Sequence, residues 1–235
     1  MLENIGDSVQ LLELASRIIN CTKCPRLVEY RQRVARVRRH MYRDFQYWGR
    51  PLPGFGDPLA RVLVIGLAPA AHGGNRTGRM FTGDRSGDWL FESLHQFGFA
   101  NQGSSVDRDD GLTLEDIYIT SAVRCAPPDN KPLPSEQDNC RPYVLEEIRL
   151  LQKMRVVLTL GKFAFDSYLS AYQESMGKLP SPLPKFSHGA AIDLPDGTQL
   201  FASYHPSRRN TQTGVLTKDM FHQVLTKIQV SLNMK

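Results

Sequence analysis

Four short runs are apolar at consecutive rather than alternate positions: Arg61-Val-Leu-Val-Ile-Gly-Leu67, Ile117-Tyr-Ile-Thr-Ser-Ala-Val123, Val156-Val-Leu-Thr-Leu160 and Leu200-Phe-Ala-Ser-Tyr204. Rich in β-branched residues and apolar on both faces, they read as parallel strands covered by helices. Helical patterns fill the intervals. Residues 86–97 open on Ser86 as an N-cap and stop before Gly98. Ser135 and Asp138 form a capping-box-like start to a helix running towards Met154. Pro142 inside that helix predicts a kink where Cys140 must point inward. Residues 7–19, 161–172 and 217–232 read as three more helices, and 98–111 and 180–189 as surface loops. Strands alternating with helices predict an α/β fold, specifically a three-layer α/β/α sandwich around a central four-stranded, mainly parallel sheet.

In such sheets ligands bind beyond the carboxyl ends of the strands. Four segments are therefore candidates: 66–84, 124–134, the turn at Gly161, and 205–214. The first is rich in glycine and poor in bulky side chains, so a ligand could approach its backbone amides closely. It lacks the Gly-Lys-Ser/Thr of a phosphate-binding P-loop and the glycine spacing of a dinucleotide site. Phe81 could stack a flat ring or serve the core, and Asp84 could be a reactive carboxylate or a helix cap. In the last segment, His205 is followed by Pro206, Ser207, Arg208 and Arg209. There an imidazole could sit beside a base while arginines hold phosphates.

Composition narrows the class. With 41% hydrophobic residues in 235, the chain is ordinary for a globular domain and excludes disorder. The apolar run at 62–71 is far short of the ~20 residues a spanning helix needs. The opening residues have neither the basic start nor the apolar stretch of a signal peptide, so a cytoplasmic location without membrane association is expected. Net charge is +5, and its source is local: positions 26–50 hold eight arginines against Glu29 and Asp44, interleaved with Tyr30, Tyr42, Phe45, Tyr47 and Trp48. Such an arm suits a phosphate backbone, although a solvated basic helix face has the same composition.

Four cysteines complete the inventory: Cys21 and Cys24 as a C-x2-C pair, then Cys125 and Cys140. Unrelated buried thiols, a zinc site and an iron–sulfur cluster are all open. The second knuckle of a zinc ribbon is missing, so the uneven spacing suits a cluster better than zinc.

Taken together, these residues resemble the family 5, or type b, uracil-DNA glycosylases. The resemblance covers nearly the whole chain. It rests on Gly66-Leu-Ala-Pro-Ala-Ala-His-Gly-Gly-Asn-Arg-Thr-Gly78 through Phe81-Thr-Gly-Asp-Arg-Ser-Gly87, on Thr120-Ser-Ala-Val-Arg-Cys-Ala-Pro-Pro128, and on His205-Pro-Ser207 with Asn210-Thr and Thr213-Gly. It implies a monofunctional DNA glycosylase that flips uracil, and other deaminated bases such as hypoxanthine, out of single- or double-stranded DNA and hydrolyses the glycosidic bond. It also implies a [4Fe–4S] cluster on Cys21, Cys24, Cys125 and Cys140. One domain over 1–235 and a monomer are expected, with 1–60 anchoring the cluster and carrying the basic arm and 61–235 forming the α/β core.

For that reaction, Asp84 and His205 are the candidate catalytic residues on physical grounds. His205 and backbone amides at 67–71 would donate to the base oxygen, while Asp84 would stabilise the cationic sugar and handle the water. Leu67, Ala68, Ala71, His72, Gly73, Asn75, Phe81 and Ser121 are candidates for holding the base, with Phe81 stacked on it. Arg38, Arg39, Arg208, Arg209, Asn210 and Thr211 are candidates for holding DNA, and the turn at 209–213 for entering the vacated base stack. Family 1 enzymes carry a water-activating aspartate at the position of Ala68, and family 4 enzymes a glutamate at that of Leu67; apolar residues at both mark family 5. Ser121 stands where several relatives have asparagine, which predicts relaxed base discrimination. The rival reading is a non-catalytic nucleic-acid-binding module stapled by its metal cluster; a carboxylate facing a polyanion argues against it.

Overall fold

All four apolar runs enter one sheet. The computed structural model describes residues 2–233, with side chains from residue 8 onward. Its strands are β1 (Phe55–Gly56), β2 (Val62–Gly66), β3 (Ile117–Ser121), β4 (Val156–Leu160), β5 (Ala191–Asp193) and β6 (Gln199–Ser203). They lie in the order β1-β3-β2-β4-β6-β5. The central four are parallel, with Val64 opposite both Ile119 and Leu158, and Leu158 opposite Phe201. The sheet has six strands rather than four, because β1 and β5 add short antiparallel edges.

The helices are α1 (Leu2–Ile19), α2 (Pro25–Val37), α3 (Gly74–Thr77), α4 (Arg85–Gln96), α5 (Pro134–Leu150), α6 (Lys162–Met176), α7 (Arg208–Gln212) and α8 (Lys218–Asn233). Consecutive residues of β2 serve opposite faces, as strand geometry requires. Val62 and Val64 pack with Leu90, Phe91 and Leu94 of α4 and with Phe221, Val224 and Ile228 of α8. Leu63 and Ile65 pack with Leu14 and Ile18 of α1, Tyr143 and Val144 of α5, and Phe165 and Tyr168 of α6. Both faces of the sheet are therefore covered, and the strand ends are left to carry chemistry.

Two helix starts differ from expectation. The N-cap of α4 is Asp84, not Ser86. At α5 it is Glu136, not the pair Ser135 and Asp138, that closes the first turn: its carboxylate accepts the Leu133 amide at 2.7 Å and is held by Arg26 at 2.8 Å. The helix continues through Pro142. Between β3 and α5 lies a fully buried ion pair in which Arg124 Nη2 donates to Glu147 Oε2 at 2.6 Å, with Thr120 completing the network. Removing one partner of such a pair typically costs about 3–5 kcal/mol. Among the described residues no helix is long and apolar enough to cross a membrane.

Candidate active site

The carboxyl ends of β2, β3 and β6 open on one cavity of about 1000 Å³. Three of the four expected loops line it: residues 67–73, 80–81 and 83–86, Ser121 with Pro127, Asp129 and Asn130, and His205 with 207–209. The fourth lies behind it, since a Cβ on Gly161 would stand 3.3 Å from His205 Cβ.

Asp84 is both cap and cavity wall. Its Oδ1 accepts the amides of Ser86 at 2.9 Å and Gly87 at 3.0 Å, which fixes the side-chain rotation. The other oxygen lies over Gly73, where a methyl group would come within 2.2 Å of Oδ2. Burial pushes this carboxyl above the ordinary carboxylate range, while the two amides and Arg76 pull towards the ionised form. Asp129 is the other carboxylate on the cavity wall, but it is exposed.

Phe81 occupies left-handed backbone (φ 51°), a conformation rare for an aromatic residue. That turn lays the ring over Gly66, where any side chain would collide with it at 2.6 Å. The ring also stacks towards His205, centroid to centroid 5.9 Å at an interplanar angle of 30°. A flat face and an imidazole therefore share one end of the cavity. His205 sits at the end of β6, and burial pushes its pKa down to about 4, so the ring is neutral at physiological pH and able to donate an N–H without carrying charge. Asn210 secures the His205 carbonyl through Nδ2 at 2.8 Å.

The remaining base-holding candidates divide. Leu67, Ala68, Ala71, His72 and Gly73 line the cavity. The amides of Ala68, Ala70 and Ala71 donate to no carbonyl of the described backbone, so they are free to meet an oxygen. His72 Nδ1 pairs with the Tyr47 hydroxyl at 2.9 Å and is kept below its usual pKa by burial and by Arg39 and Arg76. Ser121 is buried at the floor, and its proton goes to the Val123 carbonyl at 2.8 Å. Asn75 does not reach the cavity. It is fully buried in α3, with Nδ2 on the Arg31 carbonyl at 3.2 Å, and so it ties α2 to the loop.

Of the DNA-holding candidates, Arg39, Arg208 and Arg209 are exposed at the cavity rim. Arg38 is exposed nearby, braced on the Arg43 carbonyl at 2.7 Å. Asn210 and Thr211 lie outside the cavity lining; the Thr211 hydroxyl turns back to the Ser207 carbonyl at 3.2 Å. Within the arm, Arg26 is spent on Glu136, and Arg31 is buried at 3% exposure. Among the lining residues not anticipated singly are Met41, Met80 and, in the segment 124–134, Asp129 and Asn130. The last two adopt left-handed backbone after Pro127 and Pro128, a conformation to which Asp and Asn are well suited.

The four cysteines converge. Cys21, Cys24, Cys125 and Cys140 line one small pocket together with Arg124. Among the described residues, no group of three His, Cys, Asp or Glu is placed to hold a metal ion. As free thiols, Cys125 and Cys140 are pushed up by burial to about 12 and about 11. Two cations near them nevertheless oppose the effect of that burial. Arg31 and Arg124 are both buried, each with an unpartnered Nε. Arg31 reaches only the carbonyls of Gly49 and Cys21 and forms no ion pair among the described residues, yet it acts on Cys125 in favour of the thiolate. A buried guanidinium without a carboxylate is costly unless another anion lies close. Thiolates bound to a cluster would be that anion, so the donor set fits such a group.

Comparison with known proteins gives the family. Residues 53–229 match the family model described as "Uracil DNA glycosylase superfamily". The chain is 50% identical over 205 residues to the type-5 uracil-DNA glycosylase of Thermus thermophilus, covering 87% of this chain and 90% of the relative. It is 46% identical over 220 residues to that of Mycobacterium tuberculosis, covering 93% and 81%. It is 46% identical over 215 residues to that of Pyrobaculum aerophilum, covering 92% and 90%.

Proposed function

Because the chain belongs to the uracil-DNA glycosylase superfamily, and within it to the type-5 enzymes, we propose that it removes uracil from DNA as a monofunctional glycosylase. It hydrolyses the bond between base and sugar, leaves an abasic site and so starts base excision repair. The observation that carries this is the meeting of three groups in one cavity: the Phe81 face, the neutral His205 imidazole and the clamped Asp84 carboxylate.

Cleavage puts negative charge on the departing base and positive charge on the sugar. The His205 N–H and the free amides at Ala68, Ala70 and Ala71 take the first, held in place before substrate arrives. Asp84 takes the second. Two amides hold its Oδ1, so it stabilises the cation and orients a water more readily than it pulls a proton away. Phe81 stacks on the extruded base. Ser121, its proton already committed to Val123, offers only lone pairs. It can accept the ring N–H of uracil and equally that of hypoxanthine, so both bases fit this edge.

Cys21, Cys24, Cys125 and Cys140 would hold a [4Fe–4S] cluster whose chemistry here is cross-linking. Through these four residues the start of α2 would be fastened to the segment after β3 and to α5, across a loop of about a hundred residues whose closure is entropically costly.

The test is a duplex carrying one uracil, incubated with freshly purified protein and no added metal or nucleotide. Alkali should break the strand at that site. Strands still intact after long incubation with enzyme in excess reject the reading.

A further inference from the structure

We infer that Met41 is the wedge that enters the base stack when a nucleotide is drawn into the cavity. This rests on the glycosylase reading and adds to it the element that stabilises extruded DNA. The cavity mouth has two rims. On one, the turn at 209–213 carries only polar side chains, so the expectation that it enters the stack has no apolar group to act through. On the other, the single turn His40–Tyr42 carries Met41, which lines the mouth and is still 62% exposed.

An exposed methionine alone means little. Its mounting is what matters. Tyr42 and Phe45 meet edge to face, ring centroids 5.8 Å apart. Both lie against the Arg76 guanidinium, at 4.2 and 5.2 Å from their centroids. Arg76 is buried and donates to the His72 carbonyl at 2.9 Å and the Gly83 carbonyl at 2.8 Å. The turn is thus fastened to both ends of the loop that ends in Asp84. Arg38 closes it from outside through the Arg43 carbonyl. Met41 is held out on a rigid mount, flanked by the exposed arginines 38, 39 and 43, which can grip phosphates on either side of a gap.

Extruding a base costs a few kcal/mol of lost stacking and pairing. Apolar side chains, methionine among them, offset such losses by entering the step. Single-stranded DNA has no paired stack to fill, so there Met41 is dispensable.

The experiment compares wild type, Met41→Ala and Met41→Leu on uracil in a single strand, opposite adenine and opposite guanine. A 2-aminopurine beside the uracil reports unstacking. For Met41→Ala we expect single-strand excision within about twofold of wild type and excision opposite adenine about tenfold lower, with a smaller loss opposite guanine because a mispair is cheaper to open. The 2-aminopurine signal should fall, and Met41→Leu should restore both. Equal losses on single strand and duplex, or no loss on duplex, overturn the wedge while leaving the glycosylase reading intact. Wild type inactive on every substrate overturns both.

Discussion

Replacing Asp84 by asparagine separates its two roles. Asparagine caps a helix about as well as aspartate, so the amides of Ser86 and Gly87 keep an acceptor at 2.9 and 3.0 Å. What disappears is the charge. A unit charge about 5 Å from a developing cation, at an effective dielectric of ~20, is worth about 3 kcal/mol, which corresponds to about a 10²-fold loss in the chemical step. Losing the charge at the helix start costs about 0.3–1 kcal/mol, offset by relief of the desolvation that raises its pKa. A chain of this length should therefore melt within about 2 °C of wild type. DNA affinity should hold or rise, since a negative charge facing phosphates is gone. The assay is single-turnover excision with enzyme in excess, beside a thermal melt and an anisotropy titration. Asp84→Ala should lose excision similarly but also lose the cap, about 1 kcal/mol. Asp129→Asn, on the exposed part of the same wall, should change little. Gly73→Ala should mimic the loss with every reactive side chain still present, because its methyl would press on Oδ2 of Asp84 and displace it. Because native Asp84 holds its proton to higher pH than the unfolded chain does, its stabilising contribution is lost as pH rises through the native pKa, and the same titration gives wild type an acid limb in rate that Asp84→Asn lacks. If excision falls no more than melting temperature across Asn and Ala, Asp84 is only a cap and the mechanism is wrong.

His205, pushed down to about 4 by burial, should show no imidazole titration by NMR between pH 8 and 5. The unfolded chain takes up that proton near pH 6.5, so native stability should fall as pH drops from 6.5 towards 4, and His205→Asn should lose this component together with activity. On the two rims, Arg39→Ala and Arg208→Ala should each weaken binding to all sequences alike and lower the slope of log affinity against log salt by about 1; an unchanged slope removes that arginine from the interface. Iron and sulfide analysis of fresh protein should give a four-iron cluster, lost in Cys140→Ala with a lower melting temperature; stoichiometric zinc would exclude it.

How much of this is legible in the sequence depends on burial. Val156–Leu160 forms a strand over the very residues its pattern indicates, because both faces are buried and its one polar residue, Thr159, is β-branched and gives its hydroxyl proton to the Phe201 carbonyl at 3.1 Å. The edge strands Phe55–Gly56 and Ala191–Asp193 are too short and too exposed to leave such a pattern. The basic arm is misleading on composition alone: Arg31 falls four residues after Leu27, on the inward face of α2, and becomes a buried support for the cysteine pocket. Asn75 reads as a polar loop residue, yet its side-chain amide bonds the carbonyl of that same Arg31. At Asp84 the two readings of the sequence, cap and reactive acid, do not exclude each other, since the carboxylate that caps α4 also lines the cavity.

On the proposed mechanism, that coincidence lets the site dispense with a polar residue at Leu67 or Ala68. A carboxylate carried on a loop must be fixed by its neighbours, or reorganisation consumes the electrostatic gain. Here the fixing groups are the backbone amides that any helix start leaves unpaired, so α4 both folds on Asp84 and aims it. Arg76 extends the same economy: one guanidinium holds the loop before Asp84 through Gly83, steadies the carbonyl of His72, and carries the aromatic pair that mounts Met41. If the Met41 turn enters DNA as proposed, Arg76→Ala should lower duplex excision more than melting temperature, and a loss of excision no greater than the loss of stability would reduce Arg76 to a structural role.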